Sequence, residues 1–148
     1  MGYHAFARTF DGISHKLTSS AHVTFGNHSM EVVALWDTGA TLSCISSEVV
    51  SALHLPPVGR CKAQTPTGSG IRNTYYIDIL LPDDVKFPGQ IVMDSEIGKQ
   101  KIGMLIGMDI ISKGDFAVSN FDGNTVFTFR YPSNSEINFV KEFMEQNK

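Results

Sequence analysis

Short turn signals recur along this chain, and they constrain its fold more than any other feature of the sequence. The segments between them are rich in β-branched and aromatic residues, which favour extended strands. Such closely spaced turns predict an all-β domain built from antiparallel hairpins. The turn signals are Asp11-Gly12, Gly26-Asn27, Pro66-Thr67-Gly68, Pro82-Asp83-Asp84, Pro88-Gly89 and Asp122-Gly123. The predicted strands include 22–25, 30–36, 74–81, 89–93 and 125–129, and the clearest hairpin spans 116–129, closed by a two-residue turn at Asp122-Gly123.

The end of the chain carries a helix signal that stands apart from this pattern. Ser133 and Glu136 fit a capping box after a proline, and apolar residues then recur on one helical face. These features predict a C-terminal amphipathic helix near 134–146. Residues 133–148 are therefore interpreted as an extension of a domain that spans 1–132.

Composition excludes several classes of function. The chain has 148 residues, enough for one domain, and its net charge of -3 is spread without a basic stripe. We therefore expect neither a nucleic-acid partner nor a membrane partner. Cys44 and Cys61 lack CxxC spacing, and the start of the chain lacks an apolar segment of signal-peptide length, so we expect reduced thiols and a cytoplasmic protein. No histidine or cysteine spacing indicates a metal site, and no glycine-rich loop indicates a nucleotide, so we expect no metal and no cofactor.

One carboxylate follows an apolar run and precedes a glycine turn. The run 32–36 predicts a strand covered on both faces, and Asp37 emerges from its end in the sequence Asp-Thr-Gly-Ala. A carboxylate in this position can share a proton with a second one and activate a water molecule. The alternative is a simple strand-terminating turn, in which Asp, Thr and Gly are all common. Trp36, directly before Asp37, is expected to fill the core rather than to shield the carboxylate.

A second motif strengthens the catalytic interpretation. The apolar strand around 104–106 ends at Gly107, and a short helix is predicted near 109–113, with Asp109 as its N-cap and Gly114 closing it in a left-handed conformation. In this order, the two motifs resemble those of the retropepsin-like aspartic proteases over 23–129. The resemblance implies an acid-protease barrel with one lobe per chain. Because this chain has one Asp-Thr-Gly loop, it also implies a homodimer.

The resemblance assigns roles to the residues of the first motif. Asp37 would be the catalytic residue, with one copy contributed by each subunit. Thr38, Gly39 and Ala40 would support the loop: Thr38 by a hydrogen bond to the other subunit's loop, Gly39 by admitting the substrate backbone, and Ala40 by keeping the cleft wall low. The implied function is hydrolysis of peptide bonds in protein or peptide substrates.

The segment 62–71 resembles the flap hairpin that covers the cleft in this family. Its glycines permit opening and closing, and an extended peptide would bind beneath it. The flap residues expected to contact substrate are Thr67, Gly68, Ser69 and Gly70. Candidates for the apolar wall of the cleft are Leu35, Ile71, Ile102 and Leu105, of which Leu105 is retained as a substrate-binding residue.

The sequence departs from the retroviral pattern at one pair of positions. Retroviral members carry an ion pair between an acid four residues after the catalytic Asp and an Arg after the second motif's glycine. Thr41 and Met108 occupy these positions here. A catalytically silent dimer that binds extended peptides is therefore one alternative. A β-rich interaction module with Asp37 in solvent is another.

Overall fold

The computed structural model describes residues 2–65 and 68–148. In this part of the chain the strands are β1 His4–Thr9, β2 Thr18–Phe25, β3 His28–Trp36, β4 Cys44–Ser46, β5 Gly59–Thr65, β6 Gly68–Leu81, β7 Val85–Ser95, β8 Met104–Ile106, β9 Asp115–Ser119 and β10 Val126–Tyr131. The α-helices are α1 Ser47–Ala52, α2 Met108–Ile111 and α3 Phe139–Gln146. Among these described residues, no helix is both long and apolar enough to span a lipid bilayer.

The larger sheet closes into a barrel. Its strand order is β2-β3-β8-β4-β7-β6-β5, and β2 also pairs with β6, so that six strands form the closed ring. Strand β5 lies outside the ring and pairs only with β6 in this sheet, as the second arm of a hairpin. A smaller sheet contains β1, β10 and β9. The predicted all-β fold with one barrel lobe per chain is confirmed.

Most neighbouring strands are antiparallel, but the two parallel pairs position the candidate site. Strand β3 runs parallel to β8, and β4 runs parallel to β7. Parallel neighbours end at the same edge of a sheet, so the residues that follow β3 and β8 emerge side by side. These residues are the Asp37 loop and Gly107.

Strand β3 is buried on one face rather than on both. Val32, Ala34 and Trp36 point into the core, whereas Val33 is 45% exposed and Leu35 is half-buried. The apolar run predicted full burial, but β3 belongs to a barrel wall, in which alternate side chains face outward. The prediction of a strand was therefore correct and that of its environment was wrong.

The side chain of Trp36 packs the barrel against the smaller sheet. Its indole ring stacks on Phe116, with centroids 5.5 Å apart, and meets Phe129 at 5.0 Å and Phe127 at 5.6 Å. The buried indole nitrogen donates a hydrogen bond to Ser19 Oγ at 2.9 Å. The side chain is 4% exposed, which confirms the core role predicted for it. This rigid cluster fixes the end of β3 immediately before Asp37.

Two of the predicted turns take a different form. The β9–β10 hairpin is confirmed, but its strands end at Ser119 and Val126, so the connection is longer than a two-residue turn at Asp122-Gly123. The reason is that Thr125 exchanges backbone hydrogen bonds with the segment after β1, through Phe10 N and Gly12 O, instead of extending the hairpin ladder.

Pro88-Gly89 also differs from the predicted turn, because it lies inside strand β7. Opposite it, the pairing shifts register between Ile77 and Ile79. The N–H of Gly89 donates to Asp78 Oδ1 at 2.7 Å, and the glycine has a positive φ of 65°. These are the features of a β-bulge, which bends the strand without ending it.

The predicted helix near 109–113 is present as α2, but its ends differ. Helix α2 begins at Met108 with Gly107 as its N-cap, so the prediction of Asp109 as N-cap was wrong. Gly114 has no positive φ. A Cβ atom at Gly114 would lie 2.1 Å from Arg130 O, so this glycine serves close packing against β10 rather than a left-handed helix end.

The predicted C-terminal helix is present as α3, but it begins later than predicted. Asn138, not Ser133, is its N-cap and accepts hydrogen bonds from Val140 N and Lys141 N. Ser133 is held elsewhere, because its hydroxyl donates to Asp115 Oδ1 at 2.6 Å. Tertiary hydrogen bonds thus keep the segment before Asn138 out of the helix.

Candidate active site

Asp37 directly follows β3, where the strand lies beside β8. Its backbone N–H donates to Ile106 O at 2.8 Å, which extends the parallel ladder by one bond beyond Trp36. The residue is half-buried. Its main chain is therefore fixed by the sheet, while its carboxylate stands at the barrel surface.

The loop after Asp37 folds back onto its carboxylate. The N–H of Gly39 donates to Asp37 Oδ1 at 2.9 Å, and the N–H of Ala40 donates to Asp37 O at 3.2 Å. A Cβ atom at Gly39 would lie 3.2 Å from Asp37 Oδ1, a tight contact that glycine avoids. Thr38 is exposed. Within the described part of the same chain its hydroxyl has no hydrogen-bond partner, and it remains available to a group from outside.

The second motif supports this loop from below through its backbone. Met108 N donates to Ala40 O at 2.8 Å, and Asp109 N donates to Thr41 O at 3.1 Å. Gly107 is required at this junction, because a Cβ there would lie 2.8 Å from Ala40 O. The two motifs predicted from the sequence are thus in direct contact.

Ser43 and Asp109 form a clamp at this junction that the sequence analysis missed. Ser43 donates its N–H to Asp109 Oδ2 at 3.0 Å and its hydroxyl to Asp109 Oδ1 at 2.8 Å. The same hydroxyl accepts a hydrogen bond from Gly107 N at 3.0 Å. Thr41 and Met108, which replace the retroviral ion pair, are both exposed. The clamp therefore joins the two motifs without charged partners at those positions.

The segment predicted as a flap forms the β5–β6 hairpin. The strands pair as far as Thr65 with Gly68, and Ser69 and Gly70, which pair with Gln64 and Ala63, are exposed. Ile71 is 67% exposed, so its side chain is accessible to a binding partner and is not part of the core. Thr67 lies outside the described residues.

The apolar wall candidates separate into two groups. Leu105 and Leu35 are half-buried register partners on β8 and β3, directly before the two motifs. Ile102 is 5% exposed and belongs to the core, so it is not available as a wall residue. Leu105 is also paired with Cys44 on its other side.

Cys44 is a buried free cysteine in the barrel wall, paired with Leu105 on β8. Burial raises the pKa of its thiol to about 11, and the negative charge of Asp109 adds to the effect. Smaller contributions come from Cys61, from Arg72, which opposes the rise, and from Asp37. Cys44 is therefore a neutral thiol at physiological pH and not a nucleophile. Among the described residues, no group of three or more His, Cys, Asp or Glu side chains could hold a metal ion.

Comparison with solved structures identifies the fold. The chain is similar to a retropepsin-like aspartic protease from Rickettsia conorii, with a TM-score of 0.56, 13% identity, and coverage of 88% of this chain and 96% of that one. It is also similar to the foamy viral protease-reverse transcriptase solved in complex with an RNA/DNA hybrid, with a TM-score of 0.52 and 18% identity. That match covers 88% of this chain but 14% of the longer viral one.

A third similar structure is the protease of Simian Foamy Virus (mac), with a TM-score of 0.49, 18% identity, and coverage of 65% of this chain and 92% of that one. A scan of protein-family models and a search of curated proteins found no match. The two matches with TM-scores above 0.5 establish the architecture: this chain has the retropepsin-like fold.

Proposed function

We propose that this chain is one subunit of a homodimeric aspartic endopeptidase that hydrolyses protein or peptide substrates. The observation that carries the proposal is the half-buried carboxylate of Asp37, oriented by Gly39 N in an Asp-Thr-Gly loop at the end of two parallel strands. The retropepsin-like fold supports it, since the similar Rickettsia conorii structure is that of an aspartic protease.

A second copy of the chain would complete the site. One carboxylate cannot act as acid and base in the same step, and the described chain brings no other carboxylate into hydrogen-bond contact with Asp37. Across a twofold axis, two copies of Asp37 would meet and could not both be ionised, so they would share one proton. Aspartic-protease dyads are the known example of this effect.

The shared proton gives the two carboxylates different roles. The ionised carboxylate would remove a proton from a water molecule as that water attacks the scissile carbonyl carbon. The protonated one would donate a hydrogen bond to the carbonyl oxygen. As the C–N bond breaks, the departing amine would take up the proton that the first carboxylate removed from the water. No covalent bond to the enzyme forms in this scheme. In the dimer, the hydroxyl of the exposed Thr38 would bind the loop of the other subunit.

An extended peptide would bind between the β5–β6 hairpin and the ends of β3 and β8. Exposed residues of the hairpin, among them Ser69 and Gly70, would offer backbone groups to the peptide as an added strand does. The half-buried Leu35 and Leu105 would contact its side chains.

The test compares the wild type with Asp37→Asn on an unfolded protein substrate at mildly acidic to neutral pH, with cleavage followed by mass spectrometry. The asparagine oxygen can still accept the hydrogen bond from Gly39, so the variant should fold and dimerise but show no cleavage above background. The matched control is Asp122→Asn, an exposed turn residue with φ of 56°, a conformation that asparagine tolerates. Cleavage by purified Asp37→Asn at the wild-type rate would refute the proposal.

A mixing experiment tests whether the site is shared between subunits. Wild type mixed with an equal amount of Asp37→Asn and allowed to exchange subunits should show about half of the activity that the same amount of wild type shows alone. The reason is that half of the wild-type subunits then lie in mixed dimers, which contain one competent carboxylate. Undiminished activity after proven exchange would contradict a shared site. Peptide binding by the wild type without any cleavage would instead indicate the catalytically silent dimer.

A further inference from the structure

Three sulfur-bearing side chains lie on three strands of the larger sheet, beside the candidate active site. Cys44 on β4 is the register partner of Met93 on the adjacent parallel strand β7. Cys61 on β5 contacts the same methionine, with its Sγ 3.9 Å from Met93 Sδ. We call Cys44, Cys61 and Met93 the sulfur cluster. The proposed peptide hydrolysis uses none of these side chains.

The distance between the sulfur atoms of Cys61 and Met93 is compatible with two ligands of one metal ion. With metal–sulfur bonds of about 2.3 Å, as in zinc thiolates, three ligands in a trigonal plane have sulfurs about 4 Å apart. The measured 3.9 Å between Cys61 and Met93 agrees with this value. Cys44 and Met93 occupy paired positions on adjacent strands, so their side chains lie on the same face of the sheet. The thiols of Cys44 and Cys61 are also close enough to interact electrostatically.

The donor set selects the kind of metal. Two thiols and a thioether are soft ligands, which suit Cu(I), and a methionine sulfur is a poor ligand for zinc. In the described chain, no further histidine or carboxylate joins the two cysteines to complete a tetrahedral zinc site. We propose that the sulfur cluster binds one Cu(I) ion in trigonal coordination by Cys44, Cys61 and Met93.

Binding changes protonation but not oxidation state. Each thiol releases its proton to solvent, two copper–thiolate bonds and one copper–thioether bond form, and the copper remains Cu(I). The resulting site carries one net negative charge. Arg72 is the register partner of Cys61, and its positive charge acts on Cys44 in the direction that favours the thiolate. Asp109 and Asp37 act in the opposite direction.

The sequence analysis expected no metal because it considered histidine and cysteine spacing alone. Cys44, Cys61 and Met93 are far apart in the sequence, and the barrel brings them together. Burial of Cys44 and the half-buried state of Cys61 and Met93 leave the cluster sheltered yet within reach of solvent.

The test titrates the full, reduced chain with Cu(I) under anaerobic conditions, in competition with a coloured Cu(I) chelator. We expect one Cu(I) per chain and a sulfur-to-copper charge-transfer band in the ultraviolet. Met93→Leu keeps both thiols and nearly the same volume. It should weaken Cu(I) binding by more than about tenfold, because mutation of a residue that only contacts a metal ligand already weakens metal binding by about that factor. Cys61→Ser should weaken it further.

The matched control is Met104→Leu, which changes a fully buried methionine on β8 that points to the opposite face of the sheet from Leu105, the partner of Cys44. It should bind Cu(I) as the wild type does, and thermal melting would verify that every variant is folded. Wild-type affinity in Met93→Leu, or X-ray absorption showing two rather than three sulfur ligands, would overturn the proposal. The measurement uses no peptide substrate, so its result is independent of the proposed peptidase activity.

Discussion

Replacing Asp109 with alanine removes both acceptors of the clamp between the two motifs. Ser43 is fully buried, and its N–H and its hydroxyl both donate to the Asp109 carboxylate, at 3.0 Å and 2.8 Å. In Asp109→Ala both donors would lose their partner inside the protein. The Ile110 N–H also loses Asp109 Oδ1, but it keeps its contact with Gly107 O at 3.2 Å and so adds little.

The magnitude follows from the burial of these donors. A buried polar group left without a partner costs about 1–3 kcal/mol, so two such groups on Ser43 should lower the free energy of unfolding by about 2–6 kcal/mol. Asp109→Asn retains one carbonyl oxygen as an acceptor and should cost less than Asp109→Ala. Hydrogen exchange at Gly107 N should also accelerate, because the Ser43 hydroxyl that accepts its bond is no longer held in place.

The assay is urea unfolding at a fixed protein concentration, followed by the fluorescence of Trp36, the sole tryptophan. Asp11→Ala is the matched control, because Asp11 is exposed and has no hydrogen-bond partner among the described residues. The control should change stability by less than about 0.5 kcal/mol. If Asp109→Ala unfolds at the same urea concentration as Asp11→Ala, the clamp does not hold the two motifs together.

Two further predictions concern Gly107 and Asp115. Gly107→Ala should lower the free energy of unfolding by about 1–3 kcal/mol, because its Cβ would lie 2.8 Å from Ala40 O. The control is Gly70→Ala, whose Cβ would meet no atom within 4 Å. Equal urea midpoints for the two variants would contradict the prediction. Burial raises the pKa of Asp115, but hydrogen bonds from Ser133 and the neighbouring backbone and from Arg130 outweigh it and hold that pKa well below its ordinary value. This carboxylate therefore stabilises the fold above the unfolded pKa of about 4, and the contribution is lost as pH falls. The melting temperatures of wild type and Asp115→Asn should approach each other progressively as pH falls below about 4, and a difference independent of pH would show that the ionised carboxylate is not responsible.

Features encoded by neighbouring residues could be predicted from the sequence. Gly26-Asn27 closes the β2–β3 hairpin as a two-residue turn, because Phe25 and His28 pair directly across it. The two motifs and the barrel strands that carry them were also predicted, since their apolar runs and glycines are local signals. Asp37 accordingly follows β3, and Gly107 follows β8.

Features that depend on distant partners could not be predicted. Ser133 has the residue type of an N-cap, but Asp115 on β9 engages its hydroxyl, and α3 begins at Phe139 instead. Pro88-Gly89 has the composition of a turn, but the ladder between β6 and β7 continues past it as a bulge. Ser43 and Asp109 are 66 positions apart, and nothing in either neighbourhood indicates that they bind each other.

The hydrogen bonds of Asp115 bear on where the folded unit ends. This one carboxylate accepts from Arg130 Nε, from the hydroxyl of Ser133 and from the backbone of Asn134. Arg130 in turn donates to Ser135. A chain that ends at residue 132, the domain border predicted from the sequence, would lack Ser133 and Asn134, which donate hydrogen bonds to the Asp115 carboxylate. The segment through Ser135 therefore belongs to the folded unit, and truncation or fusion of a second protein should be placed beyond it.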